Sequence, residues 1–312
     1  MSKHTFATVL GVMAGLLVSA PAWSATPITG PTTIQQSGSY RLTQDIVSLG
    51  CNHVIRVEAD NVTIDLDGYA IRCAASGGGA GALIYNPGFT GLWVRNGILD
   101  SGFWGIYNES RDVAMTLRFE DLLILDAADT GIFVNADSQG ANIRITDNQF
   151  SGGGTAIVVD EATTLLVRGN QIDRVATGVS ISHTTGSVLR DNSINVVQDG
   201  IDLQDSPGAL VADNAMADIL SVGLHMTDGF ADVHHNLFHI ADSASGTAMA
   251  AIGNQAEFVA WDWNVAFAPL VALHLRGTAH SNNRNYYPGG SKLIAFDPFD
   301  PHANDGGGNL EN

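Results

Sequence analysis

Asp202 and His225 stand in two phrases of the same form, "GIDLQD" and "GLHMTD". Each lies between the two apolar residues of a Gly-apolar-x-apolar unit. If these units are strands paired in register, about 5 Å separates the two residues. A carboxylate that close raises the pKa of an imidazole and orients the ring, which is one route to a general base or a general acid. His274 holds the same place in "ALHL", with Arg276 two residues beyond it. Both would lie roughly 10 Å from His225. Asp205 and Asp228 end the Asp202 and His225 strands, and His183 ends the strand before them.

These units align into two outward columns. The first is Tyr107, Phe133, Val158, Ser180, Asp202, His225, Ala250 and His274. The second is Glu109, Asn135, Asp160, Ser182, Gln204, Thr227, Ile252 and Arg276. Asp160, Gln204, Thr227 and His274 are therefore expected to flank the Asp202/His225 centre and to contact whatever binds there. Phe103, Trp104, Tyr107 and Phe133 form an aromatic group in the earlier units. They either stack on sugar rings or pack under a loop. His234 and His235 are adjacent on an expected strand and would point to opposite faces, so they do not share a metal ion.

Only an in-register repeat can bring these residues together. Asn148, Asn170, Asn192, Asn214 and Asn236 recur every 22 residues, Asn96 lies 52 before Asn148 with Leu122 midway, and Asn264 follows Asn236 by 28. A fixed period in the twenties indicates a solenoid. Trp93, Phe119, Ile145, Val167, Leu189, Val211, Val233 and Trp261 stand three residues before this position. Ile98, Ile124, Phe150, Ile172, Ile194, Met216, Phe238 and Ala266 stand two after it. The apolar pairs of the third segment, such as Ile201/Leu203 and Leu224/Met226, are spaced by two, which is strand alternation.

Each coil is thus three short strands joined by turns, and stacked coils pair their strands in parallel around one apolar interior. The Leu-x-x-Leu-x-Leu frame of leucine-rich repeats is missing. The repeated Asn turns a corner, and its amide bonds to the next one along the stack. About nine coils at a ~4.8 Å spacing make a cylinder on the order of 45 Å long. Trp93 and Trp261 are expected to plug the core column near its ends. Residues 26–60 supply an N-terminal cap and the first strands, 61–283 the repeats, and 284–312 a C-terminal cap or tail, so that strand edges are covered.

The Asn phrases, the Gly-Ile-x-Val phrases and the opening segment "GSYRLTQDI…HVIRVEADNVTIDLDGYAI" resemble the right-handed parallel β-helix proteins of the pectin-lyase-like superfamily. The resemblance covers about Asn61 to Arg276 and implies an all-β, single-stranded right-handed parallel β-helix. That fold hosts lyases, hydrolases, epimerases, adhesins and proteins of no known role. In the related polysaccharide lyases and epimerases this face is a sugar groove. By position, the resemblance makes His225 the base and Arg276 the group that neutralises a uronate carboxylate. Asp202, Asp205 and Asp228 would orient His225 or hold Ca²⁺, the one cofactor implied. The Asp-Pro-His motif of alginate epimerases is missing, as are the Asp-Asp pair, Gly-His-Gly and Arg-Ile-Lys of polygalacturonases.

Composition sets the surroundings. With 14 Lys and Arg against 32 Asp and Glu, the formal charge is −18, which disfavours nucleic acid and anionic membrane surfaces as partners. Residues 1–25 read as a signal peptide, with an apolar run too short to span a bilayer and small residues at its end. No later segment reads as membrane-inserted. Cys51 and Cys73 are then an expected disulfide of an exported chain, worth roughly 3 kcal/mol. The expectation is a monomer in the periplasm or the medium. It acts on a polysaccharide by uronate lyase or epimerase chemistry, with glycoside hydrolysis at Asp160, Asp202 or Asp205 as the lesser option. The alternative is a non-catalytic glycan-binding or envelope structural protein.

Overall fold

The structure is a computed structural model. It describes residues 25–74, 81–109, 114–136, 140–195 and 197–241, then 247–252, 257–262, 264–267, 271–275, 280–281, 286–287, 292–296, 304–305 and 310–311. The signal-peptide reading of 1–25 falls almost wholly outside these residues.

Strands pair in parallel one coil apart, and among the described residues there is no helix. One sheet of the solenoid carries the outward columns. It runs through Ala82–Asn86, Trp104–Asn108, the last part of Thr116–Asn135, the last part of Gln149–Asp160, Thr177–Ser182, Asp199–Gln204, Val222–Thr227, Thr247–Ile252 and Val271–Leu275. These strands make about nine coils. The same ladder continues at both ends, into Ile55–Val57 and into Lys292–Phe296.

Alternation explains why these segments are strands. Val179, Ile181, Ile201, Leu203, Leu224 and Met226 are all fully buried, while Ser180, Asp202 and His225 between them face out. β-branched and long apolar side chains stack on their counterparts one coil away, so the interior is a single continuous core.

Asn148, Asn170, Asn192, Asn214, Asn236 and Asn264 form a ladder of buried amides. The Nδ2 of Asn192 donates to Asn214 Oδ1 at 2.9 Å and to the Val167 carbonyl at 3.0 Å. Its own Oδ1 accepts the backbone N–H and the Nδ2 of Asn170, each at 3.0 Å. Every polar atom of the buried amide therefore has a partner, which is the condition for keeping it in an apolar core. The residue before the ladder position adopts a left-handed conformation, as at Asp147 (φ 57°), Asp191 (φ 57°) and Asp213 (φ 57°). Asp and Asn tolerate that region better than other side chains, so part of the chain's acidity is corner chemistry.

Asn96 belongs to this corner and not to the ladder. Its φ is 59°, and Gly97 pairs with Leu122 at the ladder position. The expected column is consequently one residue out of step in this coil. Val94 and Leu99 enter the core opposite Phe119 and Ile124, and Trp93 and Ile98 are only partly buried. Trp93 is not a core plug; it lies outward beside Arg118. The cause is that Asn satisfies both adjacent positions, by its amide at one and by its backbone at the other. Trp261 keeps the expected register opposite Val233.

Cys51 and Cys73 form a disulfide with Cα atoms 5.4 Å apart, tying the first coils together.

Candidate functional site

Asp202 and His225 are partners in register on neighbouring strands, Asp199–Gln204 and Val222–Thr227. The His225 Nδ1 lies 2.9 Å from Asp202 Oδ1. An ionised carboxylate only accepts, so Nδ1 carries a proton, and in the neutral ring Nε2 keeps its lone pair. The Thr227 hydroxyl lies 3.4 Å from that Nε2 and can donate to it. Thr227 is on the same strand two residues on, which is why it shares the face. The hydrogen bond to Asp202 holds the imidazolium above its ordinary range. Partial burial opposes that shift, and the charges of Asp202 and Asp199 reinforce it. Side-chain exposure of 32% at His225 leaves the ring reachable from solvent. An oriented imidazole with a free basic nitrogen can take a proton from a bound substrate.

A second carboxylate–imidazole pair lies on the same face. His183 Nδ1 is 2.9 Å from Asp160 Oδ1, and the Ser182 hydroxyl donates to the same oxygen at 2.7 Å. The bond to Asp160 raises the His183 pKa; Asp205 and Glu161 add to it from neighbouring turns. In the sequence Asp160 reads as a substrate contact or a hydrolase carboxylate and His183 as a turn residue, with nothing pairing the two. What brings them together is the left-handed φ of 48° at His183, which swings its ring back across one coil. A Gly-like conformation at a non-Gly turn residue is not visible in the sequence.

Gln204 and Thr227 pair in the second column, with Asp160 and Ser182 before them. His274 follows His225 and Ala250 in the first column, its backbone two coils from His225. Arg276 lies outside the described residues. Asp205 and Asp228 occupy successive left-handed turn positions (φ 44° and 54°). Among the described residues, no three His, Cys, Asp or Glu side chains converge as a metal site. Ca²⁺ takes 6–8 oxygen ligands, and these residues do not assemble such a set; no chemical step here is assigned to a metal.

The first column continues upward from Phe133 through Tyr107 and Tyr85 to Arg56. The column read from the sequence begins at Tyr107, one coil after Tyr85. Its ring stacks on His53 (4.0 Å between centroids) and on Tyr107 (5.6 Å). Trp104 stacks on Tyr107 at 4.6 Å and meets Phe103 edge-on at 4.5 Å. Glu109 accepts from the Tyr85 hydroxyl, and Asp129 accepts from the Trp104 indole at 2.9 Å. Burial, followed by the bond to Glu109, pushes the Tyr85 hydroxyl up to about 12. These rings are packed chiefly on one another, with their polar ends bonded at the surface.

His234 and His235 do not diverge as a strand would make them. His235 turns at φ 57°, and the two Nδ1 atoms approach to 2.8 Å, so one ring donates to the other. They recruit no third ligand among the described residues.

Two grooves exist elsewhere. One of about 390 Å³ lies at the N-terminal end around Thr26–Gln36, and one of about 280 Å³ lies beside Trp93. Neither includes Asp202 or His225.

A family model described as "Right handed beta helix region" matches residues 46–238. No curated protein and no solved structure matches the chain.

Proposed function

The chain belongs to the right-handed β-helix family, and from that premise we propose that it acts on a polysaccharide laid along the outward column that carries Asp202 and His225. The carrying observation is the oriented His225, with Nδ1 held by Asp202 and Nε2 open toward Thr227. In this reading His225 Nε2 removes the proton beside a uronate carboxylate, as a lyase or epimerase requires. Asp202 keeps the ring in its tautomer and stabilises the imidazolium formed. Gln204 and Thr227 contact the sugar, and His183 and Asp160 line the groove one and two coils before Asp202. Arg276 is assigned to neutralising the carboxylate.

Export to the periplasm or medium is part of the proposal. Its supports are the leader-like residues 1–25 and the Cys51–Cys73 disulfide, a bond that persists in oxidising compartments. The polysaccharide is then the partner met outside the cytoplasm.

The test is incubation with a panel of polyuronates, with and without Ca²⁺. The unsaturated product is followed by absorbance, and epimerisation by NMR. Turnover that disappears in His225→Ala supports the reading. No turnover on any substrate, or turnover unchanged in His225→Ala, rejects it.

One observation favours a second, non-catalytic reading. The aromatic group from Tyr85 to Phe133 shares its column with the dyad, so a glycan could lie along both without reaction. That reading expects binding without turnover, weakened in Trp104→Ala or Tyr107→Ala.

A further inference from the structure

Trp93, Arg118 and Arg144 are consecutive residues of an outward column on a different sheet of the solenoid. Three facts set them apart. Arg118 and Arg144 are exposed, and neither makes a salt bridge or side-chain hydrogen bond among the described residues. They stand directly opposite each other in the ladder, where like charges repel. In a chain with 32 acidic side chains against 14 basic ones, an unrelieved pair of this kind is not a consequence of composition.

The second fact is a set of donors without acceptors. The Trp93 Nε1 and the Arg95 Nε are buried and have no hydrogen-bond partner. Arg95 lies over the Trp93 ring at 4.4 Å and reaches Asp65 at 3.1 Å, while Arg118 is 6.0 Å from the ring centroid. Trp and Arg side chains donate and never accept. Buried donors of this kind call for an acceptor-rich partner.

The third fact is space. The groove of about 280 Å³ is lined by Asn61, Thr63, Gly91, Leu92, Trp93, Thr116 and Arg118. Its lining combines an aromatic ring with hydroxyl, amide and guanidinium groups. Glu120 stands beside Arg95 in register and is the nearby acid that forms no ion pair among the described residues.

We propose that this groove, extended by Arg144, binds a saccharide bearing an oxyanion. Arg118 and Arg144 take the carboxylate or sulfate in fork-like hydrogen bonds. Trp93 Nε1 donates to a ring or hydroxyl oxygen, and Thr63 and Thr116 fix the remaining hydroxyls. The overall charge of −18 disfavours nucleic acid, and a groove of about 280 Å³ takes a short acidic sugar. The site lies on another sheet from His225 and does not depend on turnover there.

The test uses the whole protein and three probes: a galacturonate trisaccharide, its neutral galactose counterpart, and a galactose 6-sulfate disaccharide. Binding is read as a saturating shift of the Arg118 Nε–H NMR resonance. At least one of the two anionic probes should bind and the neutral one should not. The one bound more tightly identifies the anion as carboxylate or sulfate. Arg118→Gln/Arg144→Gln should weaken binding by on the order of tenfold or more, whereas His225→Ala should leave it unchanged. Affinity in the wild type should fall as NaCl is raised, a readout that stands if the double variant does not fold. The proposal is overturned if neither anion binds better than the neutral sugar, if the double variant binds as well as wild type, or if salt has no effect.

Discussion

His225 Nδ1 lies 2.9 Å from Asp202 Oδ1 although the residues are 23 apart in the chain. One coil of the solenoid closes that gap, and nothing else in the local sequence does. The pair is coupled electrostatically, so it should be detectable before any substrate is known.

Titration is the direct check. The His225 imidazole should titrate above its ordinary value of about 6.5, because Asp202 stabilises the protonated ring. Asp202→Asn should bring it down, and NMR of the ring protons reads the change. An unchanged His225 titration in that variant would refute the coupling. The sign for stability follows. A raised folded-state pKa means that the pair stabilises below about pH 6.5 and that this contribution fades as pH climbs through the raised value. Wild type and Asp202→Asn should therefore converge in Tm on the alkaline side.

Turnover, where it is found, should show the same base. His225→Ala should lower kcat by on the order of 10²–10⁴. The kcat of the wild type should rise with pH as the imidazole loses its proton, with an apparent pKa that drops in Asp202→Asn. A pH profile indifferent to Asp202 would remove the dyad from the chemistry.

Two asparagines that look alike in the sequence should behave differently. Asn192→Ala leaves the Asn170 amide N–H and Nδ2 without their acceptor and frees the Val167 carbonyl, all buried. Such losses cost about 1–3 kcal/mol each, so a denaturant midpoint should fall steeply. Asn96→Ala removes no ladder bond; it loses one exposed bond, from Asn96 Nδ2 to Asp65 Oδ1 at 3.1 Å, and meets the left-handed backbone at φ 59°, together a cost of about 1–2 kcal/mol. Equal losses would mean that Asn96 and Asn192 are equivalent after all.

Gly97 reads out the same register from the other side. A Cβ there would lie 2.2 Å from the Leu66 Cβ and 2.8 Å from the Tyr69 carbonyl oxygen. Gly97→Ala must push its own coil away from the one that carries Leu66 and Tyr69, and its Tm should drop by more than that of Gly30→Ala, where nothing lies within 4 Å.

The disulfide should matter chiefly through the unfolded chain. Its sequence separation of 22 predicts a loss of about 3 kcal/mol in Cys51→Ser/Cys73→Ser, measured by denaturant unfolding with and without reductant. A reductant-insensitive midpoint in the wild type would argue that the bond does not form.

The sequence alone determined the coil. Where the period is a steady 22, from Asn148 to Asn236, each residue's neighbour above and below can be named. The alternation of apolar side chains also settles which neighbours face water. Asp202 beside His225, and Leu203 and Met226 in the core, follow from that alone. Where the period stretches, between Asn96 and Asn148, only the tertiary structure decided the register. Strand side chains alternate faces residue by residue, so a slip of one exchanges inside for outside. That slip is what turns Trp93 from a core plug into part of the lining of the groove beside Arg118. The turns escaped the sequence for a related reason. A left-handed residue such as His183 or His235 redirects its ring by one backbone angle, and that angle is set by packing against the neighbouring coils rather than by any pattern of residue types.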